Sequence, residues 1–227
     1  MSRSGESQEH HLTVSRTARY ALIGTAGPHV SQVWVVCHGF GQLARSFIRE
    51  FTPIARADRL IVAPEALSRF YLGEVTGATS ATARVGATWM TREDRLSEIS
   101  DYVGYLDTLY HLIFEMMPRD GVAVTALGFS QGVATAARWA ALGAAKVDRV
   151  ILWGGRLPDE FATAEQAASL KRTRMTMVVG REDQFLTGGA QREERDRLAV
   201  LGLDAEWLTF DGGHAIDRAT LLRVAEA

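Results

Sequence analysis

A single cysteine among 227 residues leaves nothing for an internal disulfide to pair with, so the fold must rest on its core, as suits a reducing compartment. That residue, Cys37, lies inside the apolar run Val33-Trp34-Val35-Val36-Cys37 and reads as a buried, inert thiol. Lysine occurs only at Lys146 and Lys171, and the arginines are scattered among acids. With a net charge of -2 and no basic stripe, nothing points to nucleic acid or to an anionic membrane surface. No stretch of 18 uncharged apolar residues occurs, and the opening MSRSGESQEHH has no apolar segment of signal-peptide length. A cytoplasmic protein without stable membrane insertion is expected. His, Cys and Asp nowhere fall at metal-ligand spacing and G-x-x-x-x-G-K-[ST] is missing, so neither a metal nor a cofactor is expected. Repeats and low-complexity segments are absent too.

A hydrophobic share of 47% beside 23% charged residues is that of an ordinary globular chain. Residues 1–9 are polar and read as a disordered tail, with 10–227 as one domain. His11–Val14 and Arg19–Ile23 read as short strands joined in a hairpin. Further strands are expected at Val33–Cys37, Leu60–Ala63, Val122–Leu127, Val150–Trp153, Met175–Val179 and Glu206–Phe210. A long helix is expected from Arg92 to Met117, where Leu96, Ile99, Val103, Leu106, Tyr110 and Ile113 form one apolar stripe closed by Pro118 and Gly121. Strands alternating with helices predict an α/β fold: a mainly parallel sheet with helices on both faces and the first hairpin as its antiparallel edge. The one long irregular stretch, 64–90, carries aromatics among Gly, Thr, Ala and Ser and is expected to pack over a site.

Such a sheet places ligand sites at the carboxyl ends of its strands. There the sequence has Gly128-Phe129-Ser130-Gln131-Gly132, between the apolar run Val122–Leu127 and the alanine-rich helical stretch QGVATAARWAAL. A serine on so tight a strand-to-helix turn adopts a strained backbone, and its neighbours two residues away must lack bulk. G-x-S-x-G is short enough to arise by chance; the strand before it and the helix after it give it weight.

A serine hydroxyl attacks well only when a base takes its proton and an acid holds that base in one tautomer. His10 and His11 fall in the polar N-terminus and first strand, His29 in a turn and His111 in the long helix, whereas His214 follows the last strand in Asp211-Gly212-Gly213-His214. His214 is the expected base. The acid should end a strand between serine and histidine, which selects Asp183 in Arg181-Glu182-Asp183, with Glu182, Asp159 and Asp211 as alternatives. Two backbone N–H groups must also face the developing oxyanion. The amide of Gln131 is one candidate and that of Phe40, in His38-Gly39-Phe40-Gly41, the other; His38 reads as a residue that fixes this turn.

HGFGQ, GFSQG, GREDQF and GGHAID, in this order, resemble the phospholipase/carboxylesterase branch of the α/β-hydrolases, to which acyl-protein thioesterases and small bacterial carboxylesterases belong. The resemblance spans nearly the whole chain. It implies an α/β-hydrolase fold, a triad of Ser130, Asp183 and His214, and oxyanion amides at Phe40 and Gln131. Two positions depart from that branch: Gln42 stands where an acidic residue is usual, and Trp89-Met90-Thr91 where tryptophan, phenylalanine and aspartate are usual. Trp89, Phe40, Phe185 and Leu186 are expected to line an apolar acyl pocket, with core packing as the alternative for each aromatic. The expected activity is cleavage of a small-molecule carboxylic ester through an acyl-enzyme on Ser130. Acyl-thioesterase and lysophospholipase activities are the alternatives, as is a ligand-binding protein or receptor on the same fold. A homodimer is left open.

Overall fold

The computed structural model describes residues 7–73 and 83–227, so positions 1–6 of the expected tail and 74–82 of the expected long loop lie outside the described residues. Seven strands form the main sheet: β1 (Tyr20–Ile23), β2 (Gln32–Cys37), β3 (Arg59–Pro64), β6 (Ala123–Phe129), β7 (Arg149–Trp153), β8 (Arg174–Gly180) and β9 (Ala205–Phe210). Their spatial order is β1-β3-β2-β6-β7-β8-β9. All neighbours run parallel except β1, which pairs antiparallel with β3, Tyr20 facing Pro64 and Ile23 facing Ile61.

The antiparallel edge is present, but no hairpin makes it. His11–Val14 is irregular, because β1 takes up the outer edge of β3. Two short strands, β4 (Ser68–Tyr71) and β5 (Val85–Thr88), form a separate antiparallel pair within the stretch expected to be a loop.

The inner strands read as continuous apolar runs because both faces of the sheet are covered. On β2, the two-residue strand period sends Val33, Val35 and Cys37 to one core and Trp34 and Val36 to the other. The first core is closed by α2 (Arg95–Glu115), α3 (Gln131–Leu142) and α4 (Gly188–Leu201) through residues such as Tyr102, Leu106, Trp139 and Leu198. The second is closed by the short helix α1 (Ala44–Phe47), the 3-10 segment Ile48–Ile54 and α5 (Arg218–Glu226), through Phe47, Phe51, Leu221 and Val224. The stripe on α2 begins at Ile99; Leu96, counted on it from the sequence, is 75% exposed. Among the described residues no helix is long and apolar enough to cross a membrane.

β2 is followed in space by β3 on one side and β6 on the other. The winding reverses between β2 and β6, so their carboxyl ends flank the crevice where this architecture binds ligands. Cys37 lies opposite Gly128 in that register, which sets the turn after β2 beside Ser130.

Candidate active site

β6 ends at Phe129, α3 starts at Gln131, and Ser130 between them has φ 54° and ψ -117°. A positive φ on serine costs about 1–3 kcal/mol and persists only where the surroundings impose it. They do so here through close backbone approach. A methyl group on Gly128 would sit 2.0 Å from the Gly132 carbonyl oxygen, and one on Gly132 would sit 2.1 Å from the Cys37 carbonyl oxygen. Both glycines are therefore steric requirements of the turn. The Ser130 amide donates to the Trp153 carbonyl at 2.9 Å, which ties the elbow to β7.

Asp183 follows β8 and is buried, with 3% of its surface exposed. Its Oδ1 accepts from the amides of Phe185 (2.8 Å) and Leu186 (3.2 Å), and Oδ2 lies 2.8 Å from His214 Nδ1. An ionised carboxylate only accepts, so Nδ1 carries the proton and Nε2 is left with a free lone pair. The two loops are joined by the Glu182 amide donating to the Gly212 carbonyl at 2.9 Å. Of the alternative acids, Glu182 and Asp159 are exposed and Asp211 pairs with Arg181, while Asp183 alone of the four bonds to His214. The imidazole lies 4.8 Å from the Phe129 ring and 4.7 Å edge-on from Phe185, which is 69% exposed.

In the turn after β2, the Gly39 amide donates to Gln42 Oε1 (2.8 Å), the Gly41 amide to Ala87 O (2.9 Å) and the Gln42 amide to Gly39 O (3.2 Å). The Phe40 amide has no acceptor among the described residues, and neither has that of Gln131, at the first turn of α3. Both belong to backbone that abuts the elbow: a methyl group on Gly39 would lie 3.2 Å from Ser130 Cβ. Gln42, where an acidic residue is usual, supplies a neutral acceptor that closes the turn. His38 is fully buried, and burial lowers its pKa. The Ala66 amide donates to its Nε2 (3.1 Å), so Nδ1 holds the proton and donates to the Gly39 carbonyl (2.8 Å). His38 thus pins the turn, as expected. Burial also raises the Cys37 thiol far above its ordinary pKa, which keeps it unreactive.

The expected acyl pocket is corrected at two of its four residues, Trp89 and Leu186. Trp89 is 3% exposed and Leu186 1%, because both pack inward, whereas Phe40 and Phe185 are exposed. A cavity of about 950 Å³ between the segment His11–Tyr20 and α2 is lined by neither Ser130, Asp183 nor His214. Three residues without an earlier role emerge at the site. Gln42 closes the turn, while Thr88 and Met90 bind the Gln131 side chain, whose Nε2 donates at 2.9 Å to Thr88 Oγ1 and to the Met90 carbonyl. Only the glutamine beside the elbow serine hints at these contacts in the sequence. Among the described residues no group of three His, Cys, Asp or Glu side chains is arranged to hold a metal ion.

Solved structures share this architecture. Esterase PE8 aligns over 93% of this chain and 97% of its own at 20% identity, with a TM-score of 0.64. Acyl-protein thioesterase 2 of Zea mays aligns over 92% and 97% at 17% identity and a TM-score of 0.68. SOBER1 of Arabidopsis thaliana aligns over 86% and 96% at 16% identity and a TM-score of 0.65. At these identities the likeness establishes the α/β-hydrolase fold. No curated protein matches the chain. The model of the serine hydrolase (FSH1) family matches residues 35–223, from β2 through the elbow to α5, and the chain belongs to that family.

Proposed function

We propose that the protein hydrolyses carboxylic esters through an acyl-enzyme on Ser130. The observation that carries this is the Asp183–His214 contact at 2.8 Å beside a serine held at φ 54° on a glycine-flanked elbow. Ser130 Oγ attacks the ester carbonyl while His214 Nε2 takes its proton, and Asp183 steadies the imidazolium through Nδ1. The carbonyl oxygen gains negative charge and takes up the free amides of Phe40 and Gln131, each worth about 10²–10³ in rate. Collapse releases the alcohol, protonated by His214. Water, deprotonated by the same nitrogen, then attacks the acyl carbonyl and frees the acid and Ser130.

Exposed Phe40 and Phe185 flank the crevice and favour a substrate with an apolar acyl or alkoxy group over a charged one. Thioesters fit the same steps, so paired oxygen and sulfur esters of equal chain length are needed to rank them. A ligand-binding protein would have no use for both the ordered Asp183–His214 pair and two unpartnered amides. Intact-mass spectrometry after exposure to a fluorophosphonate tests the reading. One adduct is expected on the native chain and none on Ser130→Ala. An adduct that survives the substitution would remove Ser130 as nucleophile, and a folded native chain that takes none would return weight to ligand binding.

A further inference from the structure

Trp89 was expected to line the acyl pocket, but its surroundings assign it to the other side of the chemistry. Its indole Nε1–H donates to the His38 carbonyl at 2.8 Å, and its backbone N–H donates to Gln131 Oε1 at 3.1 Å. One residue thus reaches both arms of the oxyanion hole: the turn that presents the Phe40 amide and the helix start that presents the Gln131 amide. Resting on the proposed triad, we propose that Trp89 is a positioning residue that sets the spacing and aim of these two amides.

Three further features fit this role. The ring is itself fixed, tilted over the His38 imidazole at 5.1 Å between centroids and edge-on to buried Tyr102 at 6.0 Å, so the indole N–H cannot swing away. The strand that delivers Trp89 is sewn to the same turn: Gly41 donates to Ala87 O (2.9 Å) and Ala87 donates to Gln42 O (3.2 Å). Gly86 allows that approach, since a methyl group there would lie 2.5 Å from the Gly41 carbonyl oxygen. The Gln131 side chain, finally, is saturated by this strand. Besides Trp89, its Oε1 accepts from Thr88 Oγ1 at 3.2 Å and its Nε2 donates to Thr88 and Met90. The β4–β5 pair therefore acts as a bolt across the hole, with Trp89 as its pin. Amides aimed by buried hydrogen bonds need no reorganisation as charge develops, which is where oxyanion stabilisation gains its size.

The variant Trp89→Phe keeps the ring in the core and removes only the indole donor. Loss of aim weakens the transition state and leaves ground-state binding alone. For a p-nitrophenyl ester, kcat is expected to fall about 10- to 100-fold with KM within about twofold. The inhibition constant of a trifluoromethyl ketone, whose hemiketal oxyanion occupies the same hole, should rise by the same factor as kcat falls. Unchanged kcat would overturn the proposal, as would a raised KM at constant kcat, which would return Trp89 to the acyl pocket. A fall in the folded fraction alone, with kcat per folded molecule intact, would make Trp89 mere core packing. Should Trp89→Phe not fold, Gln131→Met removes the other end of the pin and is held to the same kcat and inhibitor criteria. Ser130→Ala in parallel separates the two readings: if it hydrolyses the ester as well as the native chain, the triad fails, whereas an inactive Ser130→Ala beside a fully active Trp89→Phe refutes only the positioning role.

Discussion

Two hydrogen atoms decide whether Ser130 can stand where it does: the Hα atoms of Gly128 and Gly132 that a side chain would replace. The methyl of Gly128→Ala would lie 2.0 Å from the Gly132 carbonyl oxygen and 2.6 Å from Val133 Cα, both backbone atoms that cannot rotate away. Either α3 shifts off β6 or the elbow opens, and in both cases the Gln131 amide leaves its place beside Ser130. Gly128→Ala should lose the fluorophosphonate adduct and lower Tm by about 10 °C or more, as befits a steric defect of several kcal/mol. Gly104→Ala is the matched control. Gly104 lies in the middle of α2 with nothing within 4 Å of an added methyl, so helix propensity alone applies and stability should rise by up to about 1 kcal/mol. Calorimetry on both variants checks the contrast. Equal Tm values would mean that the elbow tolerates a side chain and that its glycines are incidental.

Between elements, part-buried ion pairs connect what the sheet does not. Arg138, on α3 and 4% exposed, meets Glu160 of the loop after β7, while Arg95 at the start of α2 reaches the other oxygen of Glu160 at 2.7 Å. Arg138 also donates to Tyr102 OH at 3.0 Å, so one guanidinium joins α2, α3 and the loop. Partial burial pushes the Glu160 carboxyl up, but the hydrogen bond and charge of Arg138 outweigh it and hold the pKa down to about 2, against 4.5 ordinarily. A folded pKa below the unfolded one stabilises the fold at pH above 4.5, and that contribution is lost as pH falls through about 2. Glu160→Gln should cost about 1–2 kcal/mol at pH 7, tempered by the solvent that reaches Glu160. The gap should close as the pH approaches 2. Urea melts of both proteins at pH 7 and pH 3 measure it, and a gap that stays constant would deny the charge any role. Such connections are hard to read in a sequence, because Arg138 and Glu160 stand 22 residues apart with no shared motif. The inner strands were legible, since burial on both faces writes each as one apolar run. β4 and β5 were not: four residues each of mixed character, paired with one another and bonded through Ala87 of β5 to the distant Gly41 and Gln42, leave no periodic trace. His11–Val14 shows the converse, a strand-like pattern left irregular because β1 already holds the edge it would need. Ser130, Asp183 and His214, the residues of the proposed triad, stand out in the sequence because each sits just past a strand among glycines or in a tight turn. The identities of Trp89 and Leu186 indicated apolar character without indicating which way it faces.

Across the whole molecule, the site gathers contributions from the carboxyl ends of four strands, β2, β6, β8 and β9, and these are not equally secure. β6 is buried along nearly its full length and has a parallel partner on each side. β9, which leads into His214, is the outer strand, is bonded to β8 alone and is only half-buried. Little apolar burial and one free edge mean a low opening free energy. His214 is held from two sides, by Asp183 and by the Trp153 indole donating to the Ala215 carbonyl at 2.9 Å, yet both bonds break if β9 frays. Native-state amide exchange should therefore find Ala205–Phe210 less protected than Ala123–Phe129 by at least about 100-fold, the difference between a sub-global opening and global unfolding. The same inequality fixes the order of events in urea. Hydrolase activity should vanish at a lower concentration than the far-ultraviolet signal of the sheet, because His214, the proposed base, departs with β9 while Ser130, the proposed nucleophile, stays on β6. Equal protection of the two strands, together with coincident loss of activity and structure, would show that the edge carrying His214 melts only with the core.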